Sequence, residues 1–180
     1  IRANAQERYP ARSMLIAAMN PCPCGNYGSK TKPCRCSQKE IARYLGRISG
    51  PLLDRIDMQL EVTAVPVRQI TESVPEEPSA AIHSRVQAAR KRQQERYRDE
   101  GITSNAELSA RQLEVFCPLD DACRELIGRA CDKYNLSMRA VSRVRKVARN
   151  IADLAGEEQI AKAHLLEALR YRNLEGSYWK

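Results

Sequence analysis

The chain has 180 residues, 43% of them hydrophobic and only 5% aromatic, with charges that sum to +8 and a sequence pI of about 9.3. That length holds one generous domain or two small ones around an aliphatic core, and the hydrophobic content excludes a disordered chain. No apolar run approaches the roughly 20 residues that cross a bilayer and no secretory leader is visible, so no membrane partner is expected.

The start, IRANAQERYPARSMLI, has neither an initiator Met nor a capping signal, so a piece of a longer chain is expected. The apolar run Ser13 to Asn20 reads as a strand buried on both faces, as in a parallel sheet covered by helices. A cysteine-rich loop follows. Ser37 with Glu40 three residues later is a capping box that predicts a helix, which Gly50-Pro51 interrupts. PLLDRID gives a short helical turn, and Met58, Leu60 and Val62 alternate as in a strand. Residues 1–70 are therefore read as the later part of an α/β domain.

The acidic, proline-bearing segment Thr71 to Ser79 predicts a linker, followed by a long polar helix from Ala80 to Glu100 that Gly101 ends. Linker and helix together make a connecting region, 71–103. The remainder, 104–180, predicts helices only. Leu119, Ala122, Cys123, Leu126, Ile127, Ala130, Cys131 and Tyr134 recur at helical spacing and make one apolar face, so Cys123 and Cys131 read as core residues. Cys117 reads as structural too. Ser137 is a good N-cap; beyond it Val141, Val144, Ala148 and Ile151 face the core, opposite a basic side of Arg139, Arg143, Lys146 and Arg149. A last helix, from about Gln159 to Tyr171, carries His164. The fold class is thus α/β followed by an all-α bundle.

Four of the seven cysteines, Cys22, Cys24, Cys34 and Cys36, fall within fifteen residues as two Cys-x-Cys pairs. Four thiolates satisfy tetrahedral Zn²⁺, and Gly25, Gly28 and Pro33 supply turns that fold the loop back on itself. Cys-x-Cys is tighter than the commoner Cys-x-x-Cys knuckle, so free loop cysteines and redox chemistry remain open readings. Disulfides fit least, because an odd cysteine count without a leader points to a reducing cytoplasm.

Three polar residues sit where chemistry is done. Asn20 ends a buried strand, at the edge where open α/β sheets bind ligands, or it simply forms the turn before Pro21. Arg55 lies between Asp54 and Asp57 just before a strand, placed either to reach a phosphate across a subunit boundary or to pair with a neighbouring aspartate. Arg139 stands in the first turn of its helix, where the dipole favours an anion, or is solvated surface.

The strings SMLIAAMNPCPCGNYG, CRC, RISGPLLDRIDMQLEV and SMRAVSRVRKVARNIADLAG with its downstream HLLEAL resemble the Mg-chelatase-like AAA+ ATPases of bacteria, the ComM or YifB group, over nearly the whole chain. The resemblance implies the later part of a P-loop-type core followed by a helical lid. It implies that Asn20 is the sensor-1 residue, Arg55 the arginine finger and Arg139 the sensor-2 arginine. It further implies ATP and Mg²⁺ as cofactors, a homo-oligomeric ring, a hexamer in the ComM type, and a helicase that drives branch migration on DNA in natural transformation. The phosphate loop G-x-x-x-x-G-K-[ST] and an apolar strand ending in Asp-Glu are absent from these residues. They are expected before Ile1, so this chain alone is not expected to hydrolyse ATP.

The stretch Arg85 to Arg98 carries six basic side chains and one acidic one, and Arg90, Lys91 and Arg92 make its densest cluster. Such a cluster binds phosphates without reading sequence, or is the solvated face of a connector. Two competing readings belong to other classes: a non-catalytic, zinc-stabilised nucleic-acid-binding module, and metal insertion into a porphyrin. The last is the weakest, because chelatase motor subunits work with separate catalytic partners.

Overall fold

A computed structural model of the chain describes residues 7, 9, 13–62 and 76–172. Most of the expected linker, residues 71–75, and the end of the expected second strand, beyond Val62, lie outside these.

Among the described residues every regular element is helical. The run from Ser13 to Asn20 and the alternating stretch from Met58 to Val62 carry no regular element, in contrast to the strands that their patterns predict. A strand exists through its ladder to a neighbour, and the described residues offer neither stretch such a partner. Met14, Leu15 and Ile16 are accordingly 85%, 74% and 82% exposed.

Two helices precede the linker. Helix α1 (Gln38–Leu45) starts on the expected capping box: Ser37 Oγ accepts the Glu40 N–H at 3.3 Å and a Glu40 carboxylate oxygen accepts the Ser37 N–H at 2.8 Å. Ile41 and Leu45, one turn apart, are buried and pack with Cys22. Helix α2 (Gly50–Leu53) is a single turn begun by Pro51, whose missing N–H costs nothing there; it buries Leu53.

Helix α3 (Ser79–Arg96) begins on Pro78 and buries only Ala89 and Gln93 along its length, with Tyr97 completing that i, i+4, i+8 stripe. A 3₁₀ turn (Asn105–Glu107) and α4 (Ala110–Phe116) follow, the latter capped by Ser109 and Gln112. Helix α5 (Asp121–Tyr134) takes Asp120 as N-cap and ends on Asn135, which adopts the left-handed conformation at φ 49°. Helix α6 (Met138–Ala155) is capped by Ser137 as expected and stopped by Gly156 at φ 84°. Helix α7 (Lys162–Arg170) starts on Ala161, whose N–H donates to His164 Nδ1 at 3.0 Å.

Helix α6 is the centre of the bundle: α3, the 3₁₀ turn, α4 and α7 all pack against it. The core joins Tyr97, Leu108, Leu113, Cys117, Cys123, Val144, Val147, Ala148, Ile160, Leu165 and Ala168. Cys117 and Cys123 are fully buried, as expected of small apolar residues, whereas Cys131, expected in the core on the same face as Cys123, is only half-buried. Arg149 departs from the basic side expected of it. Its side chain is 1% exposed, and its guanidinium donates to the carbonyls of Glu157 and Glu158 at 2.6 and 2.7 Å. These carbonyls lie just past the end of α6, so the arginine closes the α6–α7 turn from within.

Candidate functional site

The cysteine loop folds as its turns suggest. The Gly25 N–H donates to the Cys22 carbonyl at 3.0 Å. Gly25 and Gly28 sit at φ 78° and 76°, a region that side-chain-bearing residues enter only at a cost. The reversal brings both Cys-x-Cys pairs together. The four sulfurs all lie within 4.8 Å of one another, with Cys22–Cys24 at 3.4 Å, Cys24–Cys34 at 3.6 Å and Cys22–Cys34 at 3.7 Å. Cys22 is fully buried, Cys34 and Cys36 are half-buried and Cys24 is exposed. The N–H groups of Arg35 and Asn26 pull the Cys24 thiol down to about 6. Burial, with the neighbouring thiols, pushes Cys36 up to about 12.

Asn20 immediately precedes this loop and is exposed. Its side-chain amide lies over Gly25, where an added Cβ would come within 3.8 Å of the Asn20 amide carbon.

Arg55 follows α2 and is exposed, with Nη1 donating to the Pro51 carbonyl at 2.7 Å. Neither flanking aspartate pairs with it. Asp54 accepts from Ser137 Oγ at 3.1 Å and from Arg172 Nη2 at 3.4 Å, and Asp57 pairs with Arg143. Arg172 also donates to the Ile56 carbonyl at 3.0 Å, and the Gln59 N–H donates to the Tyr171 carbonyl at 2.6 Å. These bonds fasten the segment from Asp54 to Gln59 across the start of α6 and the end of α7. Arg139, exposed in the first turn of α6, is two residues from the Ser137 hydroxyl that holds Asp54. Arg55 and Arg139 thus stand on segments bonded to each other, whereas Asn20 belongs to the cysteine loop.

The three consecutive basic residues of the α3 cluster divide. Arg90 and Lys91 are exposed. Arg92 reaches the end of α6 instead, where Nη1 donates to the Asp153 carbonyl at 3.1 Å and the guanidinium covers Gly156. A cation at a helix C-terminus satisfies orphan carbonyls and opposes the dipole.

Beneath Arg92 lies a buried polar network that sequence reasoning missed. Asp153, 0% exposed, receives both terminal nitrogens of Arg96 at 2.5 and 3.0 Å, Asn105 Nδ2 at 2.9 Å and Arg149 at 3.1 Å. Tyr97 donates its hydroxyl to Asn105 at 2.6 Å, and Gln93 bridges Asn150 and the Asn105 N–H. Burial alone pushes Asp153 upward, but the Arg96 and Asn105 hydrogen bonds and the arginine charges outweigh it and hold the carboxyl below its usual value. The only sequence signal was the i, i+4 spacing of Arg149 and Asp153.

Residues 76–172 match the family model for the C-terminal part of magnesium chelatase subunit ChlI, and residues 1–70 match the model for magnesium chelatase subunit ChlI itself. The chain belongs to this magnesium chelatase family. Among curated relatives, the ChlI-like chain is 42% identical to competence protein ComM of Haemophilus influenzae over 172 residues, 95% of this chain and 33% of that protein. It is 39% identical to YifB of Escherichia coli over 175 residues, 97% of this chain and 33% of the relative. A Mycobacterium tuberculosis relative is 34% identical over 164 residues, 91% of this chain and 32% of its own length. The chain therefore spans about a third of the length of the curated relatives it matches. Among the described residues no helix is long and apolar enough to cross a membrane.

Proposed function

We propose that this ChlI-like chain is the sensing and lid portion of an AAA+ motor that hydrolyses ATP and acts on DNA, as a ring of like subunits. Residues 1–70 belong to the later part of an α/β nucleotide-binding core, 71–103 connect it and 104–180 form the lid. The phosphate loop and the carboxylates that hold Mg²⁺ belong to the part of the full-length protein outside these residues.

One observation carries the reading. Asp54 and Asp57 are committed to Ser137, Arg172 and Arg143, so among the described residues no carboxylate neutralises Arg55. Among the described residues this exposed guanidinium is tied to the Pro51 carbonyl alone, and it remains available to a phosphate. The same Asp54–Ser137 bond couples this arginine to the lid helix that begins beside Arg139, so nucleotide contact at one is felt at the other.

The chemistry is phosphoryl transfer from ATP to water. Asn20 orients the attacking water, and Arg55 neutralises the charge that develops on the γ-phosphate of a neighbouring subunit. Arg139, at a helix N-terminus, binds the phosphates and moves the lid with nucleotide state. Arg90 and Lys91 offer a non-sequence-specific phosphate contact for DNA. Sequence likeness to a relative named competence protein ComM supports a role in competence, and the activity proposed is that of a branch-migration helicase on DNA in natural transformation.

The test is steady-state ATP hydrolysis by the full-length protein, with and without DNA. DNA-stimulated hydrolysis, with Asn20→Ala lowering kcat and Arg139→Ala raising KM, is expected. A full-length protein that binds no ATP overturns the reading.

A further inference from the structure

The four-cysteine loop points to a chemistry separate from ATP hydrolysis. We propose that Cys22, Cys24, Cys34 and Cys36 form a closed tetrahedral site for one structural Zn²⁺, and that this ion holds residues 20–48 folded.

The geometry is that of a single-ion site. A tetrahedral ion with Zn–S bonds of about 2.3 Å sets its sulfurs roughly 3.8 Å apart. Three of the sulfur pairs stand at 3.4, 3.6 and 3.7 Å and all four sulfurs lie within 4.8 Å, so changes of about 1 Å or less in the sulfur separations complete the tetrahedron. All four are free thiols. A cluster of several irons would hold its ligands further apart than this. A set of four sulfurs selects a soft or borderline ion over Mg²⁺ or Ca²⁺. Four protein ligands leave no open position, which marks the site as structural.

The packing supplies the second argument. The cluster beneath the loop buries only Cys22, Ile41 and Leu45, with Tyr27, Tyr44, Cys34 and Cys36 half-covered against it. So few side chains cannot offset the entropy of ordering a loop this long and a two-turn helix. Cys22 and Cys36 join both assemblies, since their sulfurs belong to the thiol cluster while the residues pack with α1. Metal binding would therefore fix the loop and α1 as one unit, as in small domains whose folding is metal-dependent. The proposal is independent of whether the motor hydrolyses ATP.

The full chain, purified under reducing conditions without chelator, is assayed for metal by mass spectrometry and for release on titration with an organomercurial. About one zinc per chain, released in step with thiol modification, is expected. Replacement by Co²⁺ should give the intense visible bands of tetrahedral cobalt thiolate. Cys24→Ser and Cys34→Ser should lose the metal and open residues 20–48 to protease while the helical bundle melts as before. Substoichiometric metal with a protease-resistant loop, an octahedral cobalt spectrum, bound iron in place of zinc, or full zinc in both serine variants would each overturn it. Should a serine variant fail to fold, the metal count and cobalt spectrum of the parent decide alone.

Discussion

Replacing Asp153 with alanine is expected to be among the most destabilising alanine substitutions in the bundle. The carboxylate is fully buried and accepts from Arg96, Arg149 and Asn105 at 2.5–3.1 Å. Its removal leaves the Arg149 guanidinium, 1% exposed, with carbonyl partners but no counter-charge, and leaves Arg96, whose side chain is 19% exposed, without its bidentate partner. Breaking a buried ion pair from one side costs about 3–5 kcal/mol, because the surviving charge stays out of water. At about 4 °C or more per kcal/mol for a bundle of this size, the melting temperature should fall by at least about 12 °C. Circular dichroism melts of parent and variant at neutral pH measure this directly. Arg96→Ala should cost less, since Asp153 keeps Arg149 and Asn105, and the double variant should cost less than the sum of the two. An Asp153→Ala melt within about 3 °C of the parent would refute the reasoning, for it would mean that water already reaches these charges.

The same carboxylate sets an acid limit. Its folded value is depressed, so the stability it contributes is present in full above the unfolded value of about 3.9 and is lost as pH falls through the folded value. Asp153→Asn should flatten the melting-temperature slope below about pH 4, and an unchanged slope would count against the network as its source. Burial pushes Cys117 and Cys123 up to about 11, so at pH 8 about one thiol in a thousand is ionised and alkylation should be slow until the bundle is unfolded. Fast labelling of either in the native protein would place it at the surface. Gly156→Ala should destabilise by about 1–2 kcal/mol, from the left-handed backbone and from a Cβ that would stand 3.2 Å from Arg92 Nη2. Charge reversal at Arg90 and Lys91 should reduce the salt dependence of DNA binding, whereas Arg92→Ala should chiefly lower the melting temperature; the reverse pattern would reassign the helix.

What the sequence made legible was local. Ser37 with Glu40 and Ser137 before α6 act on neighbours three residues away, the paired cysteines meet across a loop of about a dozen, and the structure has them where their spacing put them. The helical bundle followed from periodicity in the same way. What escaped was decided by distant partners. Arg55 beside two aspartates suggested a local salt bridge, but Asp54 is taken by residues 83 and 118 positions away. Arg149 looked like part of a solvated basic stripe, yet the Asp153 it meets is held in place by Arg96 and Asn105, 57 and 48 positions away from that aspartate. Arg92 fell in a charge cluster that read as a phosphate contact, and only the end of α6 shows its other partner. The strand patterns at 13–20 and 58–62 need a sheet neighbour that no property of their own residues supplies.

The exposed guanidinium of Arg55 is the feature on which the motor reading turns. In the full-length protein, Arg55→Ala should leave ATP binding unchanged and lower kcat for hydrolysis by about a thousandfold or more, the worth of an arginine finger. If the subunits form the proposed ring, doping the variant into the parent protein should poison hydrolysis at the neighbouring subunit. Hydrolysis within about twofold of the parent, at equal ATP occupancy, would contradict it.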